Sequence, residues 1–191
     1  MKKHIITSIL YTAITAIVLG IGYPLLITGI AHVAFPAKAN GSLITRNGEL
    51  VGSKLIGQSF TGPTWFHSRP SAAGTGYDAA NSSGSNLAPT SKALIDRVNA
   101  SITTEAPSQT QAQPVPIDLV TASASGLDPD ITPAAALYQV PRIAHERNLP
   151  EPLIRQLVLT QIKPRQFGLL GEPTVNVLTL NLALDHLSQL D

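Results

Sequence analysis

Cysteine is absent from the 191 residues, which excludes disulfides, thiolate zinc sites and a cysteine nucleophile. Charge is scarce as well: Lys, Arg, Asp and Glu make up 13% of the chain, and the formal net charge is +1. Without Lys2 and Lys3 the 13 basic residues fall to 11, against 12 acidic, so no basic patch points to nucleic acid. The five histidines, His4, His32, His67, His145 and His186, show no metal-ligand spacing such as His-x-x-x-His. There is no Gly-x-Ser-x-Gly elbow, no Asp-Lys-Thr-Gly phosphorylation sequence and no Gly-x-x-x-x-Gly-Lys-Ser/Thr phosphate loop. So low a charge content in a globular part favours surfaces covered by a partner.

What the chain has in abundance is one long apolar run. From His4 to Ala37 there is no Lys, Arg, Asp or Glu. A helix needs about 20 apolar residues to cross the hydrocarbon layer, and Ile5 to Pro24 supply that length. Their Ile, Leu and Val residues contribute about −4 kcal/mol on the insertion scale before the Thr and Gly costs. The run therefore predicts one transmembrane helix over 5–35, extending past Pro24. The rival is a cleaved signal, with Lys2 and Lys3 as its basic start and Ala37-Lys38-Ala39 as its cleavage site. A signal's apolar region spans about 7–15 residues, roughly half of this one. Ser8, Thr12, Ala16 and Gly20 recur every four residues, a spacing that puts small side chains on one helical face where a second helix can approach. Chance occurrence of small residues explains the same pattern. Pro24 permits a kink one turn later, Tyr23 marks an outer interface, and His32 reads as an interfacial residue or a partner contact.

Charges flank the helix almost evenly, so the positive-inside rule gives little bias. The short head, residues 1–4, favours a cytoplasmic N-terminus. The remainder, 36–191, is then an extracytoplasmic soluble domain, with lobes at about 40–104 and 115–191 and a linker at about 103–116. The fold class expected is α+β: a single N-terminal transmembrane helix followed by a small soluble α+β domain.

Along that domain, Asn47-Gly48 between Leu43-Ile44-Thr45 and Leu50-Val51 predicts a β-hairpin. Gly52 and Gly57 suggest a bulge or a close backbone approach. Phe60, Trp65 and Phe66 read as the core of the first lobe. Arg69 to Ser91 is a long Gly/Ser/Asn/Ala-rich stretch. So long a run without structure of its own is functional or disordered, and three readings stand: an ordered loop that docks on a partner, a mobile surface loop, or a ligand loop. The docking reading involves Arg69, Pro70, Ser71, Tyr77, Ser85 and Asn86. A helix is expected over Pro89–Thr104, capped by Thr90 or Ser91, followed by a Pro/Gln/Thr-rich connector. Ile117–Ser123 reads as a short strand. Thr132-Pro133 starts a helix to Arg147 that stops at Asn148. Glu151-Pro152 starts another through Ile162, with Leu153, Leu157 and Thr160 on one face. Phe167–Pro173 is a turn, and Asn176 caps a last helix, Val177–Leu190.

One carboxylate pair invites a catalytic reading. Asp128-Pro129-Asp130-Ile131-Thr132 fits the Asp-x-Asp-x-Thr pattern of phosphoryl-transferring aspartate enzymes, with nucleophile and acid two residues apart. That makes a membrane-anchored phosphohydrolase using Asp128 and Asp130 the alternative function. The chemistry needs the first Asp at the end of a buried strand, whereas acidic residues before a helix's first turn have an electrostatic explanation of their own.

Seven segments, taken jointly, resemble one family. They are YPLLITGIAHVAFPAKANGSLI, GSKLIGQSF, RPSAAGTGYDA, SSGSNLAPT, DLVTASASGLDP, YQVPRIA and GEPTVNVLTLNLALD, spanning Tyr23 to Asp185. They are similar to the C subunit of the Kdp-type bacterial potassium-transporting ATPase. Lys38, Ala88 and Asp130 depart from the family's usual Gln, Gly and His or Asn. The resemblance implies a single-span accessory subunit of the bacterial inner membrane with no catalysis of its own. Its implied partners are a channel-like potassium-binding subunit, a P-type ATPase subunit and a small single-helix subunit, besides the lipid bilayer. It also implies a catalytic-chaperone role, raising the ATPase subunit's affinity for ATP through a glutamine whose best match is Gln139. An extracytoplasmic domain could not reach cytoplasmic ATP, and a role capping the channel-like subunit's entrance fits such a domain better. No metal is expected on this chain.

Overall fold

The computed structural model describes residues 1–106 and 113–187. It divides into two compact units, Met1–Val51 and Gly52–Asp191. In the first, a helical rod runs through α1 (Lys2–Ile17), a wide π-turn (Val18–Gly22) and α2 (Tyr23–Ala34). This 33-residue rod is about 50 Å long at ~1.5 Å per residue, ample to span the ~30 Å hydrocarbon layer. Its apolar side chains face outward, with Ile14 and Leu19 both more than 60% exposed. Pro24 lies in the first turn of α2. It has no N–H to give the preceding turn, and the wide turn beginning at Val18 sits where that bond is missing. A short α3 (Pro36–Ala39) follows.

The expected hairpin forms as β1 (Leu43–Arg46) and β2 (Glu49–Ser53). Asn47 and Gly48 have φ of 54° and 84°, the two positive values that a type I′ turn requires.

The second unit is built on α4 (Lys92–Glu105), α5 (Pro133–Arg147), α6 (Glu151–Gln161) and α7 (Val177–Leu187). A three-stranded antiparallel sheet, β3 (Asp130–Ile131), β4 (Ile162–Lys163) and β5 (Thr174–Asn176), has the order β3-β5-β4. One core joins Phe66 and Leu119 to Ile131, Ile143, Ile154, Val158, Val175, Leu180 and Leu184. Phe60 packs on its edge, its ring tilted 43° to that of Trp65 at 5.9 Å.

Helix starts follow their local chemistry. The Thr132 hydroxyl accepts from the Ala135 N–H at 3.2 Å, and the Asn176 amide oxygen accepts from the Thr179 N–H at 3.1 Å. α5 ends on Asn148 in the left-handed conformation. α4 starts after Ser91, whose side chain makes no capping bond.

Three expectations change. Ile117–Ser123 is not a strand: Ile117–Leu119 forms a 3-10 turn, and the Asp118 carboxylate turns inward to accept the Thr132 N–H at 2.8 Å. α6 buries Ile154 and Val158, whereas Leu153 is exposed. The Phe167–Pro173 turn joins two strands, β4 and β5, that the sequence reading left out. In the connector, residues 103–105 complete α4, while 107–112 lie outside the described residues.

Candidate functional site

The polar loop hangs from a clamped segment. Phe66 and His67 belong to no strand, and two side-chain amides hold their backbone groups. The Phe66 N–H donates to Asn181 Oδ1 at 2.9 Å, and Asn181 Nδ2 donates to the Phe66 carbonyl at 3.0 Å. One residue on, the His67 N–H donates to Gln139 Oε1 at 2.7 Å and Gln139 Nε2 returns to the His67 carbonyl at 3.1 Å. Gln139 Nε2 also donates to the Ala135 carbonyl, and Gln139 Oε1 accepts from Arg142 Nη2. These four bonds fill the capacity of a primary amide, and Gln139 is 1% exposed. The sequence-predicted nucleotide contact thus sits inside the domain with every polar position of its amide engaged by its own chain.

Arg142 and Arg147 extend the clamp upstream. Arg142 Nη1 donates to the carbonyls of Pro63 and Trp65. Burial lowers its pKa from the ordinary guanidinium value, and Glu105 and Glu146 oppose that shift. Arg147 stacks 4.5 Å from the Trp65 ring and donates to the Thr64 carbonyl. His67 is fixed on both ring nitrogens, with Nδ1 2.7 Å from Glu105 and Nε2 2.8 Å from the Gly62 carbonyl. Glu105 likewise lies near Tyr138, whose hydroxyl pKa is raised first by burial and then by that carboxylate.

Beyond Ser68 the chain enters the loop and is laced to residues 121–128. Arg69 donates to the Thr121 carbonyl and hydroxyl and pairs with Asp128 at 3.3 Å. Ser71 Oγ donates to the Gly126 carbonyl while accepting from the N–H groups of Ala73 and Tyr77. The Tyr77 hydroxyl donates back to the Arg69 carbonyl, and burial raises its pKa above 10.0. Asp78 accepts from Asn81 and Ala80, and these bonds, the Asn81 side chain's first, hold its carboxyl below the usual range. Ser82 and Ser83 donate to the carbonyls of Ser125 and Ala72.

Two glycines permit this lacing. A Cβ on Gly126, at φ 67°, would meet Ala73 and Ser83 at 2.7 Å, and one on Gly57 would meet the Asp128 carbonyl at 2.6 Å. A stretch with no regular structure except one 3-10 turn, Ala79–Asn81, is thus ordered by its side chains. Of the predicted docking residues, Arg69, Ser71 and Tyr77 build the loop from within. Pro70 and Ser85 lie half-buried, and Asn86 is exposed at φ 51°.

The carboxylate pair is spent on structure. Asp128 Oδ1 accepts the Asp130 N–H, and Oδ2 faces Arg69. Asp130 accepts from Asn176 and Thr174 and faces Lys163 at 3.6 Å. The strand begins at Asp130, after Asp128 rather than before it. Among the described residues no cluster of His, Cys, Asp and Glu is arranged to hold a metal ion. Ser8, Thr12, Ala16 and Gly20 lie on the exposed surface of the apolar rod.

Asn181 and Arg142 escaped the sequence reading. Each is a polar residue inside an otherwise apolar helical stripe, and a buried polar group needs a partner. That signal marks them as clamps without naming what they hold.

The class these elements define is an apolar helix of membrane-spanning length followed by an α+β domain whose polar groups order a long surface loop. The profile of the family described as KdpC, K+-transporting ATPase, c chain, matches residues 5–186. The potassium-transporting ATPase KdpC subunit of Acidobacterium capsulatum is 62% identical over 97% of this chain and 99% of its own length. That of Koribacter versatilis is 56% identical over 97% and 95%, and that of Methylobacterium nodulans 51% over 98% and 99%. The chain belongs to the KdpC family, the c chain of potassium-transporting ATPases. A membrane location follows from this membership and the apolar helix together.

Proposed function

We propose that the chain is a non-catalytic accessory subunit of an ATP-driven potassium uptake pump. Its helix holds it in the inner membrane, and its domain lies outside the cytoplasm and docks by the 69–91 loop on the channel-like potassium-binding subunit. One observation carries this reading: a long polar loop is held in a single shape by bonds from Arg69, Ser71, Tyr77, Ser82 and Ser83. Ordering a surface in advance reduces the entropy lost when a partner binds it. The P-type ATPase subunit and the small single-helix subunit complete the assembly in this reading.

A chaperone role that raises ATP affinity belongs to the same family resemblance, and it needs the domain on the side where ATP is. Protease treatment of sealed right-side-out vesicles separates the two. Digestion of the domain from outside supports the docking role and removes direct ATP contact. Protection of the domain, with digestion only after the vesicles are opened, overturns the orientation proposed here.

A further inference from the structure

The β4–β5 hairpin carries the second unit's two most exposed large apolar side chains among the described residues, Phe167 and Leu169, with Leu170 beside them. Phe167, Leu169 and Leu170 are 85%, 80% and 60% exposed. They are not on a slack loop. The Gln166 N–H donates to the Leu170 carbonyl and the Leu170 N–H to the Gln166 carbonyl, both at 2.9 Å. At the base Arg165 pairs with Glu172 at 2.6 Å. Phe167 has a φ of 54°, a left-handed conformation that is costly for an aromatic residue and is kept only where the surroundings impose it. From Gln166 to Gly171 the tip has no charged side chain.

We propose that this tip is a plug for an apolar, uncharged socket on a companion subunit of the same assembly. The inference rests on the accessory-subunit reading. Three observations select this occupant over the others. A fixed backbone with a strained Phe167 suits a socket of fixed shape, whereas fluid lipid accepts any shape and gives no return for the strain. The basic residues beside the tip are engaged, Arg165 with Glu172 and Lys163 with Asp130 at 3.6 Å, so no spare positive collar awaits anionic headgroups. One phenylalanine, at most ~250 Å², and two smaller, partly exposed leucines together fall below the ~800 Å² per partner of a stable interface. That is too little for two copies of this chain to hold each other by the tip, and enough for one foot of a larger interface.

The test is photo-crosslinking in the assembled pump. The full-length chain carrying Phe167→p-benzoylphenylalanine is co-expressed with the other subunits, and the complex is purified and irradiated. An adduct with a companion subunit supports the plug. An adduct with lipid alone, an adduct with a second copy of this chain, or no adduct in an intact complex overturns it. If the wild-type chain itself fails to co-purify with a pump, the accessory-subunit reading has failed and the plug falls with it, a result distinct from an intact complex without the adduct.

Phe167→Gly is the second arm. Glycine adopts the left-handed turn freely, so this variant melts no lower than wild type. If the plug exists, its retention in the complex falls by about tenfold or more. Wild-type retention of Phe167→Gly overturns the proposal.

Discussion

Asn181 holds Phe66 by both of its backbone groups, accepting its N–H at 2.9 Å and donating to its carbonyl at 3.0 Å. A helix side chain here does what a neighbouring strand would do, across 115 positions of sequence. Phe66 is fully buried, so neither backbone group has water as a substitute. Replacing Asn181 with Leu leaves a buried donor and a buried acceptor unmet, at ~1–3 kcal/mol each. We expect Asn181→Leu to lower the unfolding free energy by about 3 kcal/mol and the melting temperature by ~6–12 °C. Thermal melting of the full chain in detergent, followed by circular dichroism, checks this. A change within about 0.5 kcal/mol, the range of an ordinary surface substitution, would show that the clamp contributes nothing.

Gln139 is the same device one residue along, and it bears on nucleotide binding. Its amide makes four bonds to His67, Ala135 and Arg142. Gln139→Ala should cost about 2–4 kcal/mol, and ATP should not change the melting temperature of either the wild-type or the variant chain. A ligand that binds only the folded state stabilises it by about 2.7 kcal/mol at 100 times its dissociation constant. A concentration-dependent rise in wild-type melting temperature with ATP, lost in Gln139→Ala, would place nucleotide at this amide after all.

Much of this architecture is legible from neighbours in sequence. Asn47-Gly48 announces its hairpin, and Thr132-Pro133 and Asn176 announce their helices, because turn and cap chemistry is complete within four residues. The apolar rod is legible from composition. The rest depends on groups far apart. β3, β4 and β5 are two or three residues long, too short to show a period of two. In α6, Leu153/Leu157 and Ile154/Val158 both fit a helical stripe, and packing fully buries the second pair while Leu157 packs on the core's edge and Leu153 stays exposed. The 69–91 loop reads as a long polar stretch, but its order comes from residues 121–128, which no local rule connects to it. Phe167–Pro173 reads as a turn from its glycines, while the exposure of its apolar tip becomes visible only in three dimensions.

Tyr77 predicts an alkaline weakness in the loop. Its hydroxyl donates to the Arg69 carbonyl, and burial raises its pKa from 10.0. A raised folded-state value means that folding favours the neutral phenol. The contribution is therefore complete below pH 10.0, the unfolded value, and is lost as pH rises through the higher folded value. Limited proteolysis across that range should show cleavage within 69–91 appearing in step with phenolate absorbance. Tyr77→Phe cannot ionise, so its loop should be cut somewhat faster than wild type at neutral pH and lose the alkaline step. An unchanged alkaline step in Tyr77→Phe would assign the transition to another group.

Gly20 offers a separation that most interface substitutions lack. It lies in the wide turn of the apolar rod, and a Cβ built there meets nothing within 4 Å. The helix can therefore take a larger side chain without internal strain, and Leu is a better helix former than Gly by most of a kcal/mol. Gly20→Leu should leave membrane insertion and the melting of the domain unchanged. If Ser8, Thr12, Ala16 and Gly20 form a packing face for another transmembrane helix, the added isobutyl group separates the two backbones at their closest approach. Loss of ~1–2 kcal/mol of helix association corresponds to roughly a fivefold to thirtyfold weaker complex, read as the fraction of the chain that co-purifies with the other membrane subunits. Wild-type yield of the complex with Gly20→Leu would mean that this face looks onto lipid.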